Sequence, residues 1–515
     1  MQTSFVKRST LLLLVFIAAK IILQYLLINP VYELHRDEFL HLDQGRHIAA
    51  GYISVPPVTS WFSFFISLLS NSFFLVKFLP ALFGALTIVV VWKIVEELNG
   101  QLFAKMLAAV ALLFSVLLRI NMLYQPNSFD IFFWTLFYFT VIKYIRTTRS
   151  KWLYWMGITA AFGILSKYNI IFLIAGMLPP LLLTEHSRVF RVKHFYFAVA
   201  IAFIIILPNI LWQWHNDFPT LRQISELQST QLVHVERSAF LKEQLLFFFN
   251  SIFVLIAAVV AFFLYKPFSR FRVILWSFLV TLLLFTLMKA KNYYAIGLYP
   301  VLMGFGSVYL EKLLAEGWQK YLRFVAIICI VVLFVPVVTL IFPVLTPQQI
   351  VAKNERFKAL GLLRWEDGKD HLMPQDFADM LGWKELAQKV DAAYSTITDK
   401  EKCLVLCDNY GEAGAINYYS SFKNINAVSF NADYINWMNL KQPIKHIILI
   451  KDETDTDQNR NREKKLFATV QEVGQIDNIY ARERGTTIYV LKDAKANIND
   501  IIADEIVSRK TIRTN

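Results

Sequence analysis

Runs of apolar residues close to the length of a bilayer crossing recur through the first two thirds of this chain, and nothing else constrains its fold as strongly. A helix needs roughly 20 predominantly apolar residues to cross. Segments near 10–28, 73–95, 102–118, 129–145, 152–166, 169–184, 195–213, 243–264, 272–288, 294–310 and 322–342 read that way. In hydrocarbon every backbone polar group must be satisfied within its own segment, so such runs fold as helices. Charged residues make up 18% of the 515-residue chain, against about 25% in ordinary soluble proteins, and they cluster outside the runs. The expected architecture is a polytopic α-helical membrane protein with about eleven transmembrane helices.

Lys7 and Arg8 precede the first run, as in a signal peptide, but no small-x-small cleavage site follows, so a retained helix is expected. The net charge of +13 is spread over short loops and forms no patch, which favours contact with membrane lipids over nucleic acid. Lys143, Arg146, Arg149 and Lys151 share one loop, Arg188, Arg191 and Lys193 a second, and Lys266, Arg270 and Arg272 a third. An even number of expected spans separates each loop from Lys7 and Arg8. The positive-inside bias then puts all of them, with the N-terminus, on the cytoplasmic side of the inner membrane. Residues 29–72, 214–242 and everything past 343 face outward.

Beyond 343 the pattern changes. Short β-like runs appear at Cys403–Cys407, His446–Ile450 and Thr487–Leu491, with helical patterns near 383–394 and 411–420. The alternation predicts a small extracytoplasmic α/β domain over 343–515, following a transmembrane domain over 1–342. From about 494 the chain is polar and reads as a loose tail. Cys403 and Cys407 lie roughly 13 Å apart along a strand at about 3.3 Å per residue, too far to bridge.

The first external loop, 29–72, is the densest in chemistry. Asp37 and Glu38 are adjacent, so in a helix they point about 100° apart. That suits one carboxylate at a reactive centre and one in a structural or cation-binding role. His41 stands one turn from Asp37 and can tune it. Burial near the membrane would raise the Asp37 pKa, which suits a general base; the competing role is a charge at a helix N-terminus. Lys167, Lys289 and Lys291 all fall at outer span ends, against the topology bias, where they can hold a lipid-anchored phosphate or snorkel to ordinary headgroups. Asp130 lies at an outer span end and either faces a polar cavity or caps a helix. His35, His41 and His47 do not make a histidine-only metal site; a mixed carboxylate/histidine site for a divalent cation stays open. No nucleotide-binding fingerprint is present.

Asp37-Glu38 a few residues past the first span, followed by Gly51-Tyr52 and Pro56-Pro57, resembles the integral-membrane glycosyltransferases of family 39, which include the protein O-mannosyltransferases and are close to the lipid A aminoarabinose transferases. Pro208-Asn-Ile-Leu-Trp-Gln213 with Phe218-Pro219, Lys291 with Tyr294 and Pro300, and Asn409-Tyr-Gly-Glu-Ala-Gly-Ala415 with Tyr418-Tyr419 resemble further blocks of its bacterial branch. The resemblance implies a GT-C fold and an inverting transfer from a polyprenyl-phosphate sugar donor to an acceptor glycolipid or protein outside the cytoplasmic membrane. It implies Asp37 as the catalytic base, with Glu38 positioning the acceptor or holding a cation. Lys167, Lys289, Lys291 and Arg36 would bind the donor phosphate, and His41, Tyr52, Asp130 and Tyr294 the substrates. The chain departs from the family at His41, where tyrosine is common, and around Asp43, where uncharged residues are common; both departures bear on the acceptor. A transporter or flippase, or an inactive binding protein of the same fold, is the competing reading; a transporter would place its charges midway across interrupted spans.

Overall fold

The computed structural model describes residues 2–230 and 236–512, and it is mostly helical. Among these residues seven helices are long and apolar enough to cross a membrane: Arg8–Leu26, Phe73–Glu97, Pro126–Thr147, Lys193–His215, Lys266–Leu287, Asn292–Leu313 and Gly317–Ile341. The number rises to nine if two bent pairs each count as one span. Those pairs fall where the sequence reads straight spans: Ile170–Leu183 turns by 107° into Glu185–Arg191, and Arg237–Leu246 by 57° into Phe249–Leu264. The other two expected spans, 102–118 and 152–166, contain the helices Leu102–Leu113 and Lys151–Ser166. At 12 and 16 residues these reach about 18 and 24 Å, short of a roughly 30 Å hydrocarbon core. By length and composition, seven to nine of the eleven expected spans thus qualify among the described residues.

Between the first two spans the chain forms two short helices, Arg36–Arg46 and Val58–Leu69. The first begins with a reciprocal cap: the His35 side chain accepts from the Asp37 backbone N–H, and the Glu38 carboxylate accepts from the His35 N–H. Asp37 and Glu38 occupy the first turn, where the helix dipole favours negative charge.

The C-terminal domain holds a five-stranded sheet of order β2-β1-β3-β5-β4. Its strands are β1 (Cys403–Cys407), β2 (Ala427–Ser429), β3 (His446–Lys451), β4 (Phe467–Gln475) and β5 (Thr487–Ala494). β1 runs parallel to β2 and β3, while β5 is antiparallel to β3 and β4. The expected loose tail from 494 is corrected: Ile498–Ile512 is a helix. Ile498 and Ile502 bury against Leu404, Ile447 and Leu491, which anchors it.

Helix Tyr410–Tyr419, which follows β1, lies across helix Arg36–Arg46. Phe39 is fully buried among the rings of Trp383, Tyr418 and Tyr419. Asp43 accepts from Asn417 Nδ2 and Tyr434 Oη, both at 2.7 Å. Asp433 accepts from Ile53 N at 2.6 Å, Gln44 Nε2 at 2.8 Å and Ser54 Oγ at 2.9 Å. The crossing is close enough to require glycine at 414, because a Cβ there would sit 2.5 Å from Phe39 Cβ and 2.6 Å from the Tyr434 hydroxyl. We expect Gly414→Ala to cost about 1–3 kcal/mol of stability through overpacking, read as a lower melting temperature in detergent.

Candidate active site

Helix Arg36–Arg46 sends its two adjacent carboxylates in different directions, and the difference decides what each can do. Glu38 turns inward and is fully buried. It accepts from Lys77 Nζ at 2.6 and 2.7 Å, from Tyr124 N at 2.7 Å and from His35 N at 2.7 Å. Lys77, also fully buried, comes from the first turns of span Phe73–Glu97. The Lys77 ammonium and two backbone N–H groups take up the carboxylate, an arrangement suited to anchoring the helix and not to holding an acceptor or a metal ion.

Asp37 turns outward, its side chain 34% exposed. Tyr410 Oη donates to its Oδ1 at 2.6 Å, and Gln125 Nε2 donates to its Oδ2 at 2.8 Å. Each oxygen keeps a second lone pair for another donor. Asn127 Nδ2 donates to Gln125 Oε1 at 3.0 Å, and Lys167 Nζ donates to Asn127 Oδ1 at 2.7 Å. A cation, two amides and a carboxylate thus form one chain in which every hydrogen bond points toward Asp37, and such aligned bonds polarise one another. Lys167 also sits over the rings of Tyr294 and Tyr293, at 4.3 and 5.0 Å from their centroids. Asp130 accepts from Trp134 Nε1 at 2.7 Å, with Lys167 supplying the positive charge near it. Lys291 pairs with Glu366 at 3.0 Å and is near enough to act on Lys167 electrostatically.

Burial pushes the Asp37 carboxyl up, but His35, the Tyr410 hydroxyl, Arg36 and His41 outweigh it and leave it below its ordinary value. The expected upward shift is therefore reversed. Burial, and after it the Asp37 charge, push the Tyr410 hydroxyl far up, so it stays a donor. Arg36 lies over the Tyr410 ring at 4.7 Å, and its Nε has no hydrogen-bond partner. Behind Asp37, His35 accepts from the Asp37 N–H through Nδ1 at 3.2 Å, while its Nε2 stands 3.6 Å from Asp379 Oδ2.

Of the residues picked from sequence, Asp37, Lys167, Lys291, Asp130, Tyr294 and Arg36 come together here. Glu38 is taken up by Lys77, His41 reaches Asp37 only through its charge, and Tyr52 and Lys289 stand apart. Buried His41 is hydrogen-bonded to Gln44 at 3.1 Å. The Tyr52 hydroxyl donates to the Gln44 and His47 carbonyls and accepts from Ala49 N, all at 3.0 Å, which fixes the loop after the helix. Lys289 follows the end of helix Arg272–Leu287, and among the described residues its side chain makes no hydrogen bond or ion pair with the cluster. No three His, Cys, Asp or Glu side chains among the described residues are placed to hold a metal ion, so the mixed carboxylate/histidine site does not assemble.

Sequence reasoning missed Gln125, Asn127, Lys77 and Tyr410. Lys77, a charge within an apolar run, was the clearest missed signal. Tyr410 lies in the Asn409–Ala415 block that carries part of the resemblance, and Gln125 and Asn127 lie in the stretch before Asp130. Other blocks also meet: Asn209 Nδ2 donates to the Ala50 carbonyl at 2.8 Å, and Trp212 packs against Gly51.

Replacing Lys77 with Met should cost about 3–5 kcal/mol, because it strands a buried carboxylate. The double variant Glu38→Gln/Lys77→Met should recover much of that loss, and a double-mutant cycle on thermal unfolding measures the recovery.

The model of the dolichyl-phosphate-mannose-protein mannosyltransferase family matches residues 54–212. Lipid A galacturonosyltransferase RgtD of Rhizobium johnstonii is 22% identical over 338 residues, covering 62% of this chain and 67% of RgtD. Among solved structures, ArnT of Cupriavidus metallidurans bound to undecaprenyl phosphate superposes with a TM-score of 0.61 at 13% identity, covering 93% of this chain and 97% of that one. The apo form of the same ArnT gives 0.60 at 12% identity, covering 94% and 98%. The chain is thus a multi-pass membrane protein with the GT-C fold, similar to the dolichyl-phosphate-mannose-protein mannosyltransferase family, as its sequence motifs implied.

Proposed function

We propose that this protein is an inverting glycosyltransferase that moves a sugar from a polyprenyl-phosphate donor to an acceptor hydroxyl at the outer face of the inner membrane. Its N-terminus lies in the cytoplasm and its C-terminal domain outside. The observation that carries the reading is the hydrogen-bonded chain from Lys167 through Asn127 and Gln125 to Asp37. It joins a carboxylate able to take a proton to a cation able to meet a phosphate, and a transfer between these partners needs both. The undecaprenyl phosphate bound to ArnT supports the donor class, and the name of RgtD favours a lipid-A-like glycolipid as acceptor.

In this mechanism the acceptor hydroxyl donates to the free lone pair of an Asp37 oxygen. Its oxygen attacks the anomeric carbon from the face opposite the phosphate. The bond from that carbon to the phosphate oxygen breaks with its electron pair, the proton passes to Asp37, and polyprenyl phosphate leaves. A phosphate is a good leaving group, so no general acid is required. Lys167, Lys291 and Arg36 stabilise the charge that develops on it. Lys291 exchanges Glu366 for the phosphate, and the unpartnered Nε of Arg36 gains an acceptor. Tyr410 and Gln125 hold the carboxylate in line with the attack.

With purified protein in nanodiscs, Asp37→Asn should lower turnover by about 10²–10⁴-fold, the usual worth of a general base, while donor binding persists. Near-normal turnover in a correctly inserted Asp37→Asn protein would refute the assignment. Lys291→Ala should weaken donor use by roughly 10- to 150-fold, for a charge-assisted contact of about 1.5–3 kcal/mol. In the pH profile of kcat/KM, the acid limb assigned to Asp37 should lie below its ordinary 3.8. Tyr410→Phe removes a hydrogen bond to the ionised form and should move that limb upward.

A further inference from the structure

In the C-terminal sheet, β1 lies between β2 and β3 and is parallel to both. The chain leaves β1 through helix Tyr410–Tyr419 to reach β2 on one side, then crosses to β3 on the other. Where successive connections depart in opposite directions, a crevice opens outside the carboxyl ends of the strands, and open α/β sheets bind ligands there. A cavity of about 210 Å³ lies next to it, at the carboxyl end of β3 and the adjoining ends of β4 and β5. It is smaller than the roughly 300–1,000 Å³ pockets of drug-sized ligands, so it suits one ring and not a chain of them.

Its floor is a row across three strands. Lys451 stands opposite Thr487, and Thr487 opposite Gln475, so the three side chains share one face. Arg460 closes the cavity from above, held over the Tyr489 ring at 5.1 Å. It is only 3% exposed, yet its Nε has no hydrogen-bond partner. A buried donor left unpaired is costly, and an oxygen bound in the cavity would satisfy it.

The charges in the cavity select the ligand. Arg460 is paired with Asp455 at 2.8 Å, and Lys451 with Asp408 at 2.7 Å and Asp455 at 3.1 Å. The remaining charges in the lining, Asp452 and Glu453, are acidic. The lining carries two charges of each sign, Lys451 and Arg460 against Asp452 and Glu453, so neither an anion nor a cation meets a net opposite charge. What the lining offers is a mixture of donors and acceptors around a small volume, which matches a ring of hydroxyls that both give and receive hydrogen bonds.

We propose that this cavity is a binding site for a single neutral sugar ring, separate from the Asp37 cluster. It adjoins the helix that carries Tyr410. Asp408 accepts from Lys451 Nζ and from the Asp452 N–H, and its own N–H donates to Glu412 Oε2 in that helix.

The test is equilibrium dialysis of radiolabelled methyl α-glucoside against the full chain in nanodiscs, with glucuronate and glucosamine as charged competitors. The expected result is saturable binding of the neutral glucoside that neither charged sugar displaces at equal concentration. Gln475→Ala and Thr487→Val should each weaken it about tenfold or more, a loss of about 1.4 kcal/mol, with melting temperatures unchanged, and Asp37→Asn should leave it intact. Absence of saturable binding would overturn the proposal, as would preference for glucuronate or glucosamine. Binding that survives both cavity variants, or that disappears with Asp37→Asn, would place the sugar elsewhere and equally refute it. If Gln475→Ala fails to fold, Thr487→Val and Arg460→Lys decide the matter. Because the readout is binding, it does not depend on turnover, so failure here and failure of the transferase reading are separable.

Discussion

The fully buried ion pair of Glu38 and Lys77 determines how the reactive helix is presented. Taking two charges out of water is unfavourable unless the geometry is good and the remaining lone pairs are filled. Here the His35 and Tyr124 N–H groups fill them. The result is a rotational lock. Turning helix Arg36–Arg46 by one residue, about 100°, would bring Asp37 toward Lys77 and carry Glu38 further round, leaving neither carboxylate at the substrate side. The ion pair therefore decides which of two adjacent and chemically similar groups faces the substrate, and the helix cap formed by His35 fixes where that rotation starts.

With Asp37 so placed, its electrostatics follow from its neighbours. Burial alone would have raised its pKa, but His35, Tyr410, Arg36 and His41 together overcome it. Such a carboxylate is ionised throughout the neutral range, at some loss of intrinsic basicity. In the proposed reaction that loss is tolerable because the leaving group is already good. The barrier is then lowered mainly by alignment of the attacking oxygen and by cations at the phosphate, and the amide chain from Lys167 joins the two requirements in one rigid unit.

Much of this was legible in the sequence, but unevenly. Long spans were legible because some 20 apolar residues in a row have few other stable fates. The short helices Leu102–Leu113 and Lys151–Ser166 read as full-length spans because composition does not reveal where a helix stops. In the sheet, β3 was visible as a continuous apolar run, the mark of a strand buried on both faces. Edge strand β4 was not, since most of its residues are exposed and polar, and β2 has only three residues. Ile498–Ile512 looked like a tail because its burial rests on a few isoleucines spaced among charges. In the site, Asp37, Lys167 and Lys291 were found from charge in unexpected places, which a sequence does display. Tyr410 and Asp37 are 373 positions apart, and only the packing of the two domains brings them into contact. Tyr52 shows the converse: a residue in a recognisable block can hold the loop that carries the site.

The unit formed by β1, helix Tyr410–Tyr419 and β2 ties these observations together. Asn409 and Glu412 form a reciprocal cap at the start of that helix, which holds Tyr410 in place over Asp37. The same Glu412 oxygen receives the Asp408 N–H, and the Asp408 carboxylate receives Lys451 from the far side. One helix start thus meets Asp37 with its tyrosine and, through Lys451, the sheet with its preceding aspartate. The close crossing at Gly414 leaves little room for the two helices to slide. A displacement at Asp408 would therefore be felt at the Tyr410 hydroxyl before it could dissipate in the loop. That continuity gives the C-terminal domain a physical reason to be joined to the membrane domain: it supplies one of the two side-chain donors that orient the carboxylate, on an element whose start is held by its own cap and by Asp408 and Lys451.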